Sequence, residues 1–155
     1  MSRHGFFTEV PIPVEELEEA ARRCEDGLVV TLQAVIRRDR DGKEELQQVV
    51  YEAEIVRAED EVLALRRDVS ERWRGNLTFL HRLGPVSVDE TSVFLAVAAD
   101  RREDALAACH HVMERLRHMP GFRKRDVYKS GLSRLSHTPH ETILLSDDAF
   151  SLPQS

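Results

Sequence analysis

The chain has 155 residues, 41% of them hydrophobic, and a formal net charge of −6 at pH 7. This suits one domain with a real core, and the acidic balance argues against a general nucleic-acid binder. No signal peptide is recognisable and no apolar run is long enough to span a bilayer. We therefore expect a cytoplasmic protein that needs no membrane.

The first half of the chain has the periodicity of strands alternating with helices. In chain order we expect an edge strand within residues 6–12, a helix from Pro13 to Gly27, two paired strands over 28–36 and 46–53, and a helix over 57–73. Pro13 suits a first helical position, and the glutamates after it suit the positive end of a helix.

The second half contains the most apolar segment, residues 93–99, which is typical of a central strand covered on both faces. The other expected elements are a strand over 77–82, a turn at Gly84-Pro85, a short strand over 86–88, a helix over 101–117 capped by Asp100, and an extended segment over 122–129. The order predicts an α+β fold with a mixed, largely antiparallel sheet and three main helices, and the length leaves room for a small appended subdomain. We assign 1–132 to this domain and 133–155 to a partly ordered tail.

Cations recur at the ends of these elements. Arg37 follows a strand, Arg101 and Arg102 open the third helix, Arg117 closes it, and Lys124 comes seven residues later. Strand ends and helix starts are where α/β proteins bind ligands, and guanidinium groups hold phosphate through paired hydrogen bonds. Lys124 is one of three lysines against nineteen arginines, so a chemical role competes with that of a solvated surface lysine.

Other chemistries have weaker support. His110 or His111 with Glu114 could bind a metal on one helix face, but no third ligand is nearby, so we predict no metal site. Cys24 and Cys109 fall on the apolar stripes of helices and are interpreted as buried thiols. The glutamates of the first helix are interpreted as solvent-facing charge.

Short motifs in a fixed order give the chain a resemblance to the large, catalytic subunit of molybdopterin synthase over about residues 6–126. The pieces are Pro11-Ile12 with Val14-Glu15-Glu16-Leu17, Gly27 with Val29-Val30-Thr31, Arg37, Tyr51-Glu52-Ala53, Arg72-Trp73, His81-Arg82-x-Gly84, Arg101-Arg102 with Ala105 and Ala108, and Lys124. The most specific are Tyr-Glu-Ala, His-Arg-x-Gly and the last helix with its lysine.

The resemblance implies an α/β hammerhead-like fold with a small added β subdomain. It also implies a homodimer that binds a small β-grasp sulfur-carrier subunit at each end, giving a heterotetramer. The carrier's Gly-Gly tail ends as a thiocarboxylate and enters a pocket of the large subunit. Two sulfurs pass to cyclic pyranopterin monophosphate and form the dithiolene of molybdopterin. This is a sulfurtransferase step of molybdenum cofactor biosynthesis, and it uses no metal and no cofactor.

The same resemblance implies roles for individual residues. Lys124 matches the main catalytic lysine, with Arg117 at the place of a second lysine. Arg37 and Arg102 match substrate-binding arginines, and Arg101 stands beside them where histidine is usual. Both reactants are anions, so fixed cations in a shielded pocket would hold them together and stabilise charge as sulfur attacks.

The chain also departs from the family pattern at several places. Besides Arg101 and Arg117, the departures are Ala34 for glycine, Glu54 for tyrosine, Gly121 for proline and Arg123 for tryptophan. Two other functions remain open. One is a non-catalytic relative that keeps the dimer and carrier-binding surface, and the other is a dimeric α+β protein that binds another small phosphate or carboxylate.

Overall fold

The computed structural model describes residues 3–23, 27–38 and 45–136. Within these ranges lie three helices and nine strands. The helices are α1 (Val14–Arg22), α2 (Ile55–Trp73) and α3 (Arg102–Arg117). The strands are β1 (Arg3–His4), β2 (Phe7–Thr8), β3 (Leu28–Val35), β4 (Leu46–Ala53), β5 (Asn76–Arg82), β6 (Gly84–Ser87), β7 (Thr91–Ala99), β8 (Phe122–Tyr128) and β9 (Ser133–Ser136).

The apolar strand β7 organises the first sheet, whose strand order is β1-β2-β5-β7-β3. Every residue of β7 after Thr91 is buried, because α1 covers one face of the sheet while α2 and α3 cover the other. β7 pairs antiparallel with both β3 and β5. The central, two-sided burial predicted for residues 93–99 is confirmed.

The predicted pairing of the strands over 28–36 and 46–53 is wrong. β3 pairs with β7 in the first sheet, whereas β4 lies in a second sheet of order β6-β4-β8-β9. The apolar β7 must be covered along both edges as well as both faces, and β3 supplies one of those edges. β4 then pairs antiparallel with β6 and β8.

The two sheets are joined at a corner of one residue. β5 ends at Arg82, Leu83 intervenes, and β6 begins at Gly84, whose φ of +79° lies in the region that favours glycine. The predicted turn at Gly84-Pro85 is thus the start of a strand. The chain passes from the first sheet to the second without a loop.

Element ends differ from the expectations by small amounts. The edge strand within residues 6–12 is only β2, and Asp100 does not cap α3, because the cap position falls on Arg101 and forms no side-chain bond there. Glu103 and Asp104 supply the acidic first turn that the helix dipole favours. The α+β prediction, with three helices in the described residues and a small second sheet, is confirmed.

The first residues of the predicted tail form a strand, and several other predicted features lie outside the described residues. Residues 133–136 form β9 and pair with β8, whereas 137–155, Cys24 and most of the charged loop 37–43 lie outside the described residues. Cys109 is buried in α3 as expected.

Candidate functional site

A buried aromatic cluster joins the two sheets. The His81 ring lies 4.9 Å from the Tyr51 ring and 4.6 Å from the Phe122 ring, centroid to centroid. The Nδ1–H of His81 donates to the carbonyl oxygen of Arg82 at 2.7 Å. Burial lowers the pKa of His81 to about 4, so the imidazole is neutral at physiological pH. This cluster, which we call the junction (Tyr51, His81, Phe122), is a packing element.

Tyr51 carries the junction toward the predicted catalytic lysine. It stands opposite Lys124 of β8 on one side and Gly84 of β6 on the other. Burial raises the pKa of Tyr51 to about 12, opposed by a hydrogen bond with Ser92 and reinforced by the negative charge of Asp126. The phenol therefore stays protonated, so it can donate a hydrogen bond and carries no negative charge.

The side chain of Lys124 is largely buried, with 14% of it exposed. Its Nζ lies 3.5 Å from Oδ1 of Asp126. Side chains alternate along a strand, so Phe122, Lys124 and Asp126 share the face of β8 turned toward Tyr51. Arg123 and Arg125 point to the opposite, exposed face. An ammonium shielded from water and held by one carboxylate is suited to stabilising an anionic reactant.

A cleft of about 630 Å³ opens where β4 ends and the turn after α3 leads into β8. Its wall is built from the residues Glu52, Ala53, Glu54, Arg117, His118, Met119, Pro120, Gly121, Phe122 and Arg123. The wall is held in shape by the N–H of Glu54, which donates to the carbonyl of Gly121 at 2.9 Å. Gly121 has a φ of +72°, and an added Cβ would lie 3.2 Å from the Cβ of Glu54.

Most charged side chains of the cleft wall have a partner of opposite charge, but one arginine has none among the described residues. Arg123 donates from Nε to Glu52 at 2.6 Å, and Glu54 lies 3.9 Å from Arg57. Arg117 is half-buried and forms no ion pair with any residue that the structure describes. The cleft therefore presents one uncompensated guanidinium to a negatively charged ligand.

The structure places the five predicted site cations in two groups. The first group lies at one end of the protomer. Arg117 lines the cleft, and Lys124 lies two residues further along β8 than Phe122, which also lines the cleft. Arg37 follows the end of β3, where Val35 pairs with Thr91. The N–H of Ile36 donates to the carbonyl of Glu90 at 3.0 Å and fixes the approach to Arg37.

Arg101 and Arg102 form the second group, at the opposite end. β7 runs away from Thr91 to Ala99, and α3 then runs back, so its first and last residues are separated by fifteen steps of the helix. At the usual rise this places Arg102 about 22 Å from Arg117. Arg101 is exposed and lies 3.7 Å from Glu103. One protomer therefore does not bring all five cations together.

Sequence reasoning missed Asp126 and the roles of Tyr51 and Glu52. The signal for Asp126 was the period of two along residues 122–126, which places it beside Lys124 once the segment is known to be a strand. Nothing local in the sequence pairs Tyr51 with Lys124 or Glu52 with Arg123, because those contacts join residues more than seventy positions apart.

His111, one of the two histidines weighed as metal ligands, contacts Asp68 instead, with 3.0 Å between Nε2 and Oδ2. In the described ranges, no three His, Cys, Asp or Glu side chains gather in a group that could hold a metal ion. No helix of that same part of the chain is both long and apolar enough to cross a membrane.

Residues 7–119 match the model of the MoaE protein family. The chain belongs to the MoaE family. That match runs from β2 to the turn after α3 and ends before β8, and it includes the Tyr-Glu-Ala and His-Arg-x-Gly motifs. It confirms the resemblance stated from the sequence.

Curated relatives carry the same assignment. A molybdopterin synthase catalytic subunit of Staphylococcus aureus (strain COL) is 28% identical over 138 residues, which cover 88% of this chain and 92% of the relative. The catalytic subunit of Staphylococcus carnosus (strain TM300) is 26% identical over 138 residues, with 88% and 91% coverage.

Solved structures agree in fold. The crystal structure of molybdopterin synthase from Staphylococcus aureus has a TM-score of 0.77 at 25% identity and covers 87% of this chain and 98% of that chain. A complex of subunits 1 and 2 of the molybdopterin-converting factor from Helicobacter pylori has a TM-score of 0.72 at 15% identity, with 85% and 89% coverage, and supports the fold alone.

Proposed function

We propose that this chain is the sulfur-transferring large subunit of a molybdopterin synthase. It would take sulfur from the thiocarboxylated tail of a small β-grasp carrier and deliver it to cyclic pyranopterin monophosphate, forming the molybdopterin dithiolene in the cytoplasm. The observation that carries the proposal is the match to catalytic subunits over nearly their whole length.

The geometry of the first cation group supports this chemistry. Both reactants are anionic, so they repel each other unless cations lie between them. The ammonium of Lys124 is shielded from water and is held by Asp126, and Arg117 adds an uncompensated charge in the neighbouring cleft. Preorganised charge of this kind lowers the energy of a transition state more than solvated charge does.

We further propose that the substrate site is shared between two protomers of a homodimer. Arg102 and Arg101 lie at the far end of α3 from Arg117, about 22 Å away by helix length, and a single chain cannot join them to Lys124. A two-fold axis that brings the start of α3 in one protomer against β8 of its partner would complete the phosphate-binding set.

A subunit-mixing experiment tests this arrangement. Lys124→Ala and Arg102→Ala chains are each expected to be inactive as homodimers. After unfolding and refolding together, mixed dimers would contain one intact site if Arg102 and Lys124 come from different protomers. Recovered activity supports the shared site, whereas no recovery from mixed dimers verified by mass spectrometry means that each chain uses its own residues.

The function itself is tested by reconstitution. The purified chain, a thiocarboxylated carrier and the pterin precursor should yield molybdopterin, detected as its fluorescent oxidation product. A chain that binds the carrier but makes no product would be a non-catalytic relative, and the arginines at positions 101 and 117, in place of histidine and lysine, would explain that result. A chain that binds no carrier, and co-purifies with another small anion, would overturn the proposal altogether.

A further inference from the structure

The rim of the cleft contains an ion pair between neighbouring strands. Glu52 of β4 stands directly opposite Arg123 of β8, and the two side chains meet at 2.6 Å on the exposed face of the second sheet. About half of each side chain is exposed, 53% for Arg123 and 50% for Glu52. Exposed pairs of this kind contribute little stability, so the contact is easily exchanged for another.

Arg117 faces the same cleft and lacks a carboxylate partner among the described residues. The cleft thus has one cation that is available and one that is occupied by Glu52. We propose that Glu52 is a specificity-determining residue, which holds the Arg123 guanidinium at the rim until an anionic chain terminus displaces it, so that Arg117 and Arg123 then bind that terminus together.

The exchange would favour anions over neutral groups. A carboxylate or thiocarboxylate can replace Glu52 at the guanidinium with hydrogen bonds of the same kind, whereas an amide cannot match the charge. A neutral tail therefore leaves Arg123 paired with Glu52 and contacts only the remaining wall. This inference rests on the proposed function, because that function supplies a ligand ending in an acidic tail.

Binding of two synthetic peptides to the full chain tests the proposal. Both end in Gly-Gly, one with a free carboxylate and the other amidated, and their dissociation constants are measured by fluorescence anisotropy. The wild-type chain should bind the carboxylate more tightly. Glu52→Gln should tighten carboxylate binding about two- to fivefold, the factor expected for losing one exposed competing pair, and leave amide binding unchanged.

Two further variants complete the set. Arg123→Gln should weaken carboxylate binding about tenfold, because a charge-assisted hydrogen bond is lost. Glu45→Gln is the matched control, since Glu45 pairs with Lys129 at 2.7 Å just beyond the other end of the same two strands. It should bind both peptides as the wild type does. Thermal unfolding confirms that each variant is folded.

Two results would overturn the inference. One is equal affinity of the wild type for both peptides, and the other is a Glu52→Gln affinity that is unchanged or raised equally for both. Neither result touches the proposed function, which is judged by product formation with the intact carrier. If the wild type makes no product yet Glu52→Gln shows the expected shift, the function fails and the anion exchange stands.

Discussion

The junction and the cleft wall lie next to each other, but they relate to the family in opposite ways. Two of the three junction residues, Tyr51 and His81, belong to the motifs on which the resemblance to the family rests, and their rings contact each other across the corner between the sheets, whereas Phe122 also lines the cleft. Four of the six departures that the sequence resemblance predicts fall on the cleft wall instead. These are Glu54, Arg117, Gly121 and Arg123.

The difference shows which constraints act on each region. A fully buried ring such as His81 must fit its neighbours, so packing fixes its identity. The wall lines an open cleft, so packing constrains its exposed side chains less. We expect changes in the junction to alter the free energy of unfolding, and changes in the cleft to alter binding and rate.

Lys124 lies between the two regions and should give the largest effect. Lys124→Ala removes the shielded ammonium, and we expect sulfur transfer to fall about 10²- to 10³-fold with the fold retained. Lys129→Ala, at an exposed position just after the end of the same strand, is the control. Reconstitution with the carrier measures the rates, and parental activity in Lys124→Ala would show that Lys124 is not catalytic.

Acid should act on the junction through His81. Burial lowers the pKa of His81 from 6.5 to about 4, so the unfolded chain binds the extra proton first as pH falls through this window. The neutral His81 ring makes its full contribution to the free energy of unfolding above about pH 6.5, and about 3 kcal/mol of that free energy is lost by pH 4. Urea unfolding between pH 4 and 7 measures the slope.

A matched pair of variants assigns that slope to one residue. His81→Gln should flatten the pH dependence, whereas His118→Gln, at an exposed position on the cleft, should leave it as it is in the wild type. An unchanged slope in His81→Gln would mean that the acid sensitivity arises in another part of the molecule.

Gly121→Ala probes the point where the cleft wall meets the second sheet. Its φ of +72° and the 3.2 Å approach of a Cβ to Glu54 should together lower the free energy of unfolding by about 1–2 kcal/mol. Gly27→Ala is the control, because its φ is not positive and an added Cβ would meet no atom within 4 Å. Equal denaturant midpoints for the two variants would contradict this account.

The smallest effect is expected from restoring family residues. Arg117→Lys keeps the charge in the cleft, and Arg101→His returns a group that titrates near neutrality. Each variant should hold activity or raise it by about a few-fold, measured as initial rates of product formation. Loss of activity in both would mean that this chain has settled on a different pocket chemistry.

Local patterns were sufficient for the elements and for the most buried strand. The apolar run over 93–99 and the helical spacing over 101–117 each correspond to an observed element within two residues at either end. The pairing of strands was not predictable from them, because β3 and β4 look alike along the sequence. β3 pairs with β7, and β4 pairs with β6, which begins after the corner at Leu83. Both pairings join strands that are distant in the chain, so local patterns do not predict them.

The candidate site was predictable in its parts but not in its arrangement. The cations were recognisable from their places at element ends, yet the direction of α3 separates Arg102 from Arg117. Asp126 and Glu52 escaped notice because acidic residues are frequent in this chain, with 28 in total, and only long-range contacts distinguish these two.

The one-residue corner at Leu83 limits how this molecule can respond to a ligand. A hinge needs several backbone torsions that are free to change, and here a single buried residue separates two strands that are each hydrogen-bonded to their neighbours. The corner at Leu83 is therefore not built as a hinge between the two sheets. We therefore expect the cleft to adjust to a ligand through the rotamers of its exposed side chains, such as Arg123 and Glu52, rather than through movement of the sheets.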